Sequence, residues 1–447
     1  MSLVSSVKFR AGRMTDALVG LIVTALVVAG YVVQAGFLES LESRLYDARA
    51  RMSQTRRGER KAAAPSPEVG DSPGRVLIVA IDDPSIGRIG RWPWPRWVLG
   101  DLIKQIQAGG ASVIGVNIPL AEEGRSAGLD IVQQLRAMCR QEAVKGDKKV
   151  VKALERVIQY LEVAEIALDH DARLASAIRG AGNVGLPGRC APGPPTGTGE
   201  EEPAAALAAS SIAGPTALHG GQAGPAWTGH APTLPLTLFA NHALAVGHVN
   251  IEADPDGVVR RAIPLVRYGD VAVPAAAVQL LRKHLNQSAA DLTVIQGVEI
   301  QKGRARVPFD GGAGVLLDFA GPAGTLPRVS AVDVLGGKVP AEQIRGRIVL
   351  IGHTATGLAD LRVAPVGGQF PSVELFATFV SDALTQRFII RPSWARSAEL
   401  VALAVCGLYL IVLLPSLTAG WGALGGGLLV AATAAGGWWA FLANGWW

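Results

Sequence analysis

The chain has 447 residues, 49% of them hydrophobic and 18% charged, with a formal net charge of +5. Its mean hydropathy of +0.30 is high for a soluble protein and points to membrane segments beside a folded body. The 42 Lys and Arg residues are spread along the chain without a basic block interleaved with aromatics, which argues against nucleic acid as a partner. The three cysteines, Cys139, Cys190 and Cys406, have no zinc-ligand spacing.

Residues 17–38 run for 22 positions without a charge. As a helix this stretch reaches roughly 33 Å, enough to cross a bilayer. It is longer than the apolar centre of a signal peptide and a Leu-rich charged helix follows it, so it reads as a retained transmembrane anchor after a short N-terminus, residues 1–16. Lys8, Arg10 and Arg13 precede it, and Arg44, Arg49, Arg51, Arg56 and Arg57 follow it. A bare positive count therefore favours the cytoplasmic side for what comes next.

Residues 39–75 comprise a stalk helix and a linker. Leu38, Leu41, Leu45, Ala48 and Met52 alternate in steps of three and four. That stripe fits a dimer stalk or packing onto the domain's own core. The linker, 58–75, is rich in Ala, Pro and Gly.

A folded domain is expected over 76–392. Val76-Leu-Ile-Val-Ala-Ile81 and Ala111-Ser-Val-Ile-Gly-Val116 are apolar runs of the kind that form strands buried on both faces, and Pro95–Gln107 between them reads as a helix. Together they predict a βαβ unit with paired parallel strands. Residues 128–180 read as charged helix with Val151, Leu154, Ile158 and Leu161 as its apolar stripe, and Asn183–Pro187 as a short strand. The Gly, Ala and Pro bulk of 190–226 reads as a low-complexity insertion. Strands are expected over Val246–Ile251 and Val258–Val266, flanking the turn Asp254-Pro-Asp-Gly257, then a helix near 274–287, a strand Ile348–Ile351 and a helix Val373–Leu384.

From Leu400 to Trp447 there is no charged residue or histidine over 48 positions, roughly 72 Å of helix. Broken at Pro415–Gly420, this predicts transmembrane helices at 398–415 and 420–443.

Among polar groups, Asp82 and Asp83 end a buried strand, the edge where open α/β sheets bind ligands. They bind a cation or cationic ligand, or else Asp82 caps the next helix or pairs with Arg96 while Asp83 is solvated. Trp92, Pro93, Trp94 and Pro95 make a rigid aromatic loop, either a ligand platform, a lid over the sheet edge or a membrane contact. His353 and Asp360, with Thr354 and Thr356, line the same edge as Asp82 or serve loop structure. His242 and His248 read as ordinary core or surface histidines. Asp254 and Asp256 read as a turn, because the later acidic ligand of a calcium loop is missing. There is no phosphate-binding Gly-x-x-x-x-Gly-Lys-Ser/Thr loop and no Gly-x-Ser-x-Gly elbow, so catalysis finds little support in the motifs, and no metal or cofactor is expected.

Several motifs in order resemble the type-two CHASE domain, an extracytoplasmic sensory domain associated with cyclases and histidine kinases. They are Val79-Ala-Ile-Asp-Asp-Pro-Ser85 with Gly90-Arg-Trp-Pro-Trp-Pro-Arg96, Gly247-His-Val-Asn-Ile251 with Asp254-Pro-Asp-Gly-Val-Val-Arg260, and Asp318-Phe-Ala-Gly-Pro322. Ser330-Ala-Val-Asp-Val-Leu335, Gly346-Arg-Ile-Val-Leu-Ile-Gly352, Gly357-Leu-Ala-Asp-Leu-Arg362 and Arg391-Pro392 continue the order. The resemblance implies an α/β extracytoplasmic sensor domain, a mixed sheet with flanking helices, plus α-helical transmembrane segments.

It also implies a cytoplasmic N-terminus, a sensor in the periplasm or outside the cell, and location in the inner (plasma) membrane, and it outweighs the arginine count. The output it implies is an adenylate or guanylate cyclase, a histidine kinase or a diguanylate cyclase, which a chain ending at Trp447 is expected to leave to another segment or protein. Expected partners are the membrane lipid bilayer, an extracytoplasmic ligand or protein, and a second copy in a homodimer.

Candidate ligand-binding residues are Asp82, Asp83, Ser85, Arg91, Trp92, Trp94, Arg96, Asn117, His353, Thr354, Asp360 and Glu374. Departures from the family pattern stand at Asn117, where an acidic residue is usual, at Ser372 and Phe376 around Glu374, and at Ala364-Pro365. Two other readings are a structural subunit that binds a protein through the Trp loop, and a membrane hydrolase using Asp82, His353 and Asp360.

Overall fold

The structure, a computed structural model, describes residues 2–32, 41–52, 75–124, 126, 128–145, 147–193, 210–211, 227–268, 271–287, 293–295, 299–302, 305–308, 314–390, 392, 394–444 and 446. The end of the expected first anchor, most of the expected linker, nearly all of the expected low-complexity insertion and Arg391 lie outside the described residues.

The apolar runs become the centre of a parallel sheet. β1 (Val76–Ile81), β2 (Val113–Val116) and β14 (Ile348–His353) are buried along almost their whole length. Side chains alternate across a strand, so each run feeds two cores. Val76, Ile78, Val113, Ile348 and Leu350 face one core, while Leu77, Val79, Ile114, Val349 and Ile351 face the other.

The second core holds α4 (Arg96–Ala108) and α7 (His170–Ala181); the first holds α9 (Ala276–His284) and α11 (Ser372–Thr385). The result is a three-layer α/β domain. The sheet runs β13 (Arg328–Ser330), β1, β14, β2, β3 (Val184–Pro192) and β4 (Gly229–Thr233), and β5 (Ala245–His248) pairs with β3. All its pairs are parallel except β3 with β4.

Two expectations are corrected and one is refined. β1 and β2 are parallel but not neighbours, because β14 pairs with both. Residues 128–180 divide into α5 (Leu129–Lys145), α6 (Lys148–Leu168) and α7, with Asp147 and Asp169 capping the second and third through their carboxylates. The turn at 254–257 closes as expected, Gly257 N donating to Asp254 O at 2.8 Å with Gly257 at φ 81°. The segments beside it do not pair with each other, however. β5 joins the large sheet, and Arg261–Ala262 pairs with Val315–Leu317 in a small antiparallel sheet.

Helix α2, residues 41–52, docks on the domain through Tyr46, Asp47 and Ala50. The stripe of Leu41, Leu45, Ala48 and Met52 is exposed, so docking uses a different face. Two C-terminal segments, Ala395–Ser416 and Ala419–Phe441, are long and apolar enough to cross a membrane; in α1 (Ser2–Val32) the apolar stretch Thr15–Tyr31 is shorter. α1 packs closely against the first of these segments at small residues. A Cβ on Gly407 would stand 2.5 Å from Thr24 Cγ2, and one on Gly20 2.8 Å from Leu410 O. Tyr31 also bonds to Glu399 there.

Candidate ligand-binding site

Four parallel strands, β14, β2, β3 and β5, run their carboxyl ends to one edge, where a cavity of about 350 Å³ opens. This is the edge at which open α/β sheets bind ligands, and the volume suits a small molecule. Two of these strands end alike, in an apolar residue, Gly and His: Val246-Gly-His248 and Ile351-Gly-His353. Each glycine admits a helix. A Cβ on Gly247 would lie 2.6 Å from Ala276 N at the start of α9, and one on Gly352 2.5 Å from Val373 Cβ at the start of α11. Each histidine then lines the cavity.

His248 is only 1% exposed, and burial lowers its pKa to about 3, so the imidazole is neutral. The backbone N–H of Asn250 donates to its Nδ1 at 3.4 Å, which places the ring proton on Nε2. That Nε2–H has no partner among the described residues. A buried donor left unmet costs about 1–3 kcal/mol, so the group is costly unless something entering the cavity accepts from it. Asn250 is held in turn by Cys190, whose N–H donates to its Oδ1 at 3.1 Å.

His353 is held neutral in the same way, with its pKa lowered to about 4 by burial; its Nε2 also lacks a partner among the described residues. Trp92 stacks edge-on against its ring at 4.5 Å, so the aromatic loop reaches the sheet edge through this histidine. Asn117 donates to Ser372 Oγ at 3.3 Å across the cavity wall, and Asp360 pairs with Arg362 at 3.1 Å. Arg189 and Arg261 complete the charged lining, and Phe376, Phe379, Leu375 and Leu317 supply apolar wall.

Of the residues expected from sequence, Asn117, His353 and Asp360 meet at this cavity. The others take separate places. Asp82 caps the helix Asp83–Ile89 and receives Ser85 N at 3.0 Å, Ser85 Oγ at 2.6 Å and Ser330 Oγ at 2.7 Å, which ties β1 to β13. Asp83 receives Thr356 N and Oγ1, each at 3.1 Å, and is not simply solvated. Trp94 donates Nε1–H to Gly90 O at 2.8 Å and packs on Trp92. Arg96 lies 3.3 Å from Asp171, donates to Glu122 O and covers the Phe239 ring. Thr354 N donates to Ile81 O at 3.0 Å, Arg91 is exposed, and Glu374 receives Gly324 N at 2.6 Å in a buried setting that raises its pKa.

Sequence reasoning passed over His248, Asn250, Arg189, Arg261 and Arg362 as site residues. The repeated Gly-His at two strand ends was the available signal. Cys139 and Cys190 are both free thiols, and burial pushes that of Cys190 up to about 11. Among the described residues no group of three or more His, Cys, Asp or Glu forms a metal site.

The chain thus combines a mixed α/β body, with a cavity at the carboxyl edge of its parallel strands, and two following apolar helices long enough for a membrane. A family model described as CHASE2 domain matches residues 22–414, and the chain belongs to that family of extracytoplasmic sensory domains. No curated protein and no solved structure matched the chain.

Proposed function

We propose that the chain is a multi-pass receptor of the inner membrane, with its N-terminus in the cytoplasm and its α/β body in the periplasm or outside the cell. The body takes a small ligand in the sheet-edge cavity, and binding biases the helices that enter the membrane. The shift is a change of population between states that bind the ligand differently. The recipient is an output of nucleotide cyclase or kinase type, in keeping with the family's association. The exposed stripe of Leu41, Leu45, Ala48 and Met52 supports pairing of two receptors along α2.

The observation that carries this reading is the position of Arg260. Its neighbours Val259 and Arg261 line the cavity, while Arg260 itself grips Asp47 on the helix that follows the first anchor. Leu317 repeats the connection, lining the cavity with its carbonyl accepting from Tyr46 of α2 at 3.1 Å. Ligand and stalk therefore touch the same short segments from opposite sides.

Orientation is tested with single cysteines at the exposed positions Arg88 and Lys104 in a chain stripped of its native thiols. In right-side-out vesicles a membrane-impermeant maleimide is expected to label both. Labelling that appears only after permeabilisation overturns the extracytoplasmic placement.

A further inference from the structure

Resting on the reading of the cavity as the ligand site, we infer that its ligand is a small organic anion, a carboxylate or similar oxyacid on an apolar body. Three features converge on that class. The deepest polar group, His248, offers an N–H that no described residue accepts, so the complement it calls for is an acceptor. Arg362 adds a second, its buried Nε lacking a partner among the described residues while Nη2 is engaged by Asp360.

Among the described residues the charged lining is three arginines, Arg189, Arg261 and Arg362, against one carboxylate, Asp360. Asp360 is already paired with Arg362, and Arg261 lies 3.8 Å from Asp254, which Arg260 also binds. A cation entering here would find no uncommitted carboxylate among the lining residues and would face guanidinium charge; an anion finds donors and positive potential. The remaining wall, including Leu375, Phe376 and Phe379, accepts an apolar body.

The test uses the full chain in lipid nanodiscs and three probes with one aromatic body: phenylacetate, phenethylamine and 2-phenylethanol. Binding is read by saturation-transfer NMR and titration. Phenylacetate is expected to bind at least about tenfold more tightly than the other two, since a site of buried donors rejects analogues that leave them unmet. H248L and R362L are each expected to lose about tenfold of that affinity, whereas H248Q, which retains an N–H, stays within about threefold. Partitioning into lipid is common to all variants and cancels in the comparison.

The inference is overturned by phenethylamine or the alcohol matching phenylacetate, by H248L binding phenylacetate as the wild type does, or by phenylacetate not binding at all. A262F, which fills the cavity, separates the two levels. If phenethylamine binds the wild type and A262F abolishes it, the site stands and the ligand class falls. If no probe binds and A262F leaves hydrogen exchange of residues 41–52 unchanged, both fall.

Discussion

The guanidinium of Arg260 donates to both carboxylate oxygens of Asp47, at 2.8 and 2.9 Å, across 213 positions of sequence. Arg260 is 3% exposed and also binds Asp254 at 2.8 Å and Asp256 at 2.7 Å. Three carboxylates converge on a single buried cation, and only one belongs to α2. The arrangement fastens the stalk to the turn at 254–257 and, through Val259 and Arg261, to the cavity wall.

Breaking this cluster from the arginine side leaves carboxylates desolvated and unpaired. Arg260→Leu is expected to destabilise the body by about 3–5 kcal/mol, the usual cost of removing one partner of a buried pair. Asp256 is largely exposed, and Asp256→Asn is expected to cost no more than about 1 kcal/mol. Chemical denaturation followed by tryptophan fluorescence measures both. Equal losses for the two variants would show that Arg260 is not the hub.

The two cavity histidines make the body acid-sensitive. Both have folded pKa values below the ordinary 6.5, at about 3 for His248 and about 4 for His353. The unfolded chain therefore takes up protons first, and stability, full above pH 6.5, declines as pH falls towards 4 for His353 and 3 for His248. Each histidine contributes up to about 1.4 kcal/mol per pH unit within its window. Melting curves at pH 7.5, 6 and 5 should show a falling Tm, and His248→Gln should make the fall shallower. A Tm independent of pH over that range contradicts the buried neutral state of these rings.

Glycines 247 and 352 are required by close approach. At Gly247 the obstacle is backbone, Ala276 N and Cα each 2.6 Å from an added Cβ, so no side-chain rotation relieves it. Gly247→Ala is expected to cost about 1–3 kcal/mol and to displace α9. Gly352→Ala meets the branched Cβ of Val373 at 2.5 Å and falls in the same range. Thermal denaturation checks both. A neutral Gly247→Ala would mean that α9 stands further from the sheet.

Much of the scaffold was legible because burial on both faces writes continuous apolar runs, as in Val76–Ile81 and Ile348–Ile351. The order of those strands was not, since β14 arrives 232 positions after Val116 by number and slots between two earlier strands. The site was legible only in part for a related reason. Asp82 and Asp83 sit at a strand end and invite a ligand reading, yet Ser85, Ser330 and Thr356 engage them, two of these from distant segments. His248 looked ordinary alone; its meaning comes from Asn250, which fixes the tautomer, and from walls contributed by the segment after β2, by β12 (Val315–Leu317) and by α11. The stalk stripe shows the opposite case. Its spacing was visible, but docking depends on Tyr46 and Asp47, which that pattern skips.

Hydrogen exchange of residues 41–52 in the full chain, comparing wild type with A262F, tests most directly whether the cavity and the stalk are one device. Filling the cavity is expected to change amide protection in this helix by about tenfold, an energy well within the usual range for coupled sites, and the change is expected to vanish when A262F is combined with Arg260→Leu. Identical exchange at 41–52 in wild type and A262F, with the cavity demonstrably filled, would contradict that coupling.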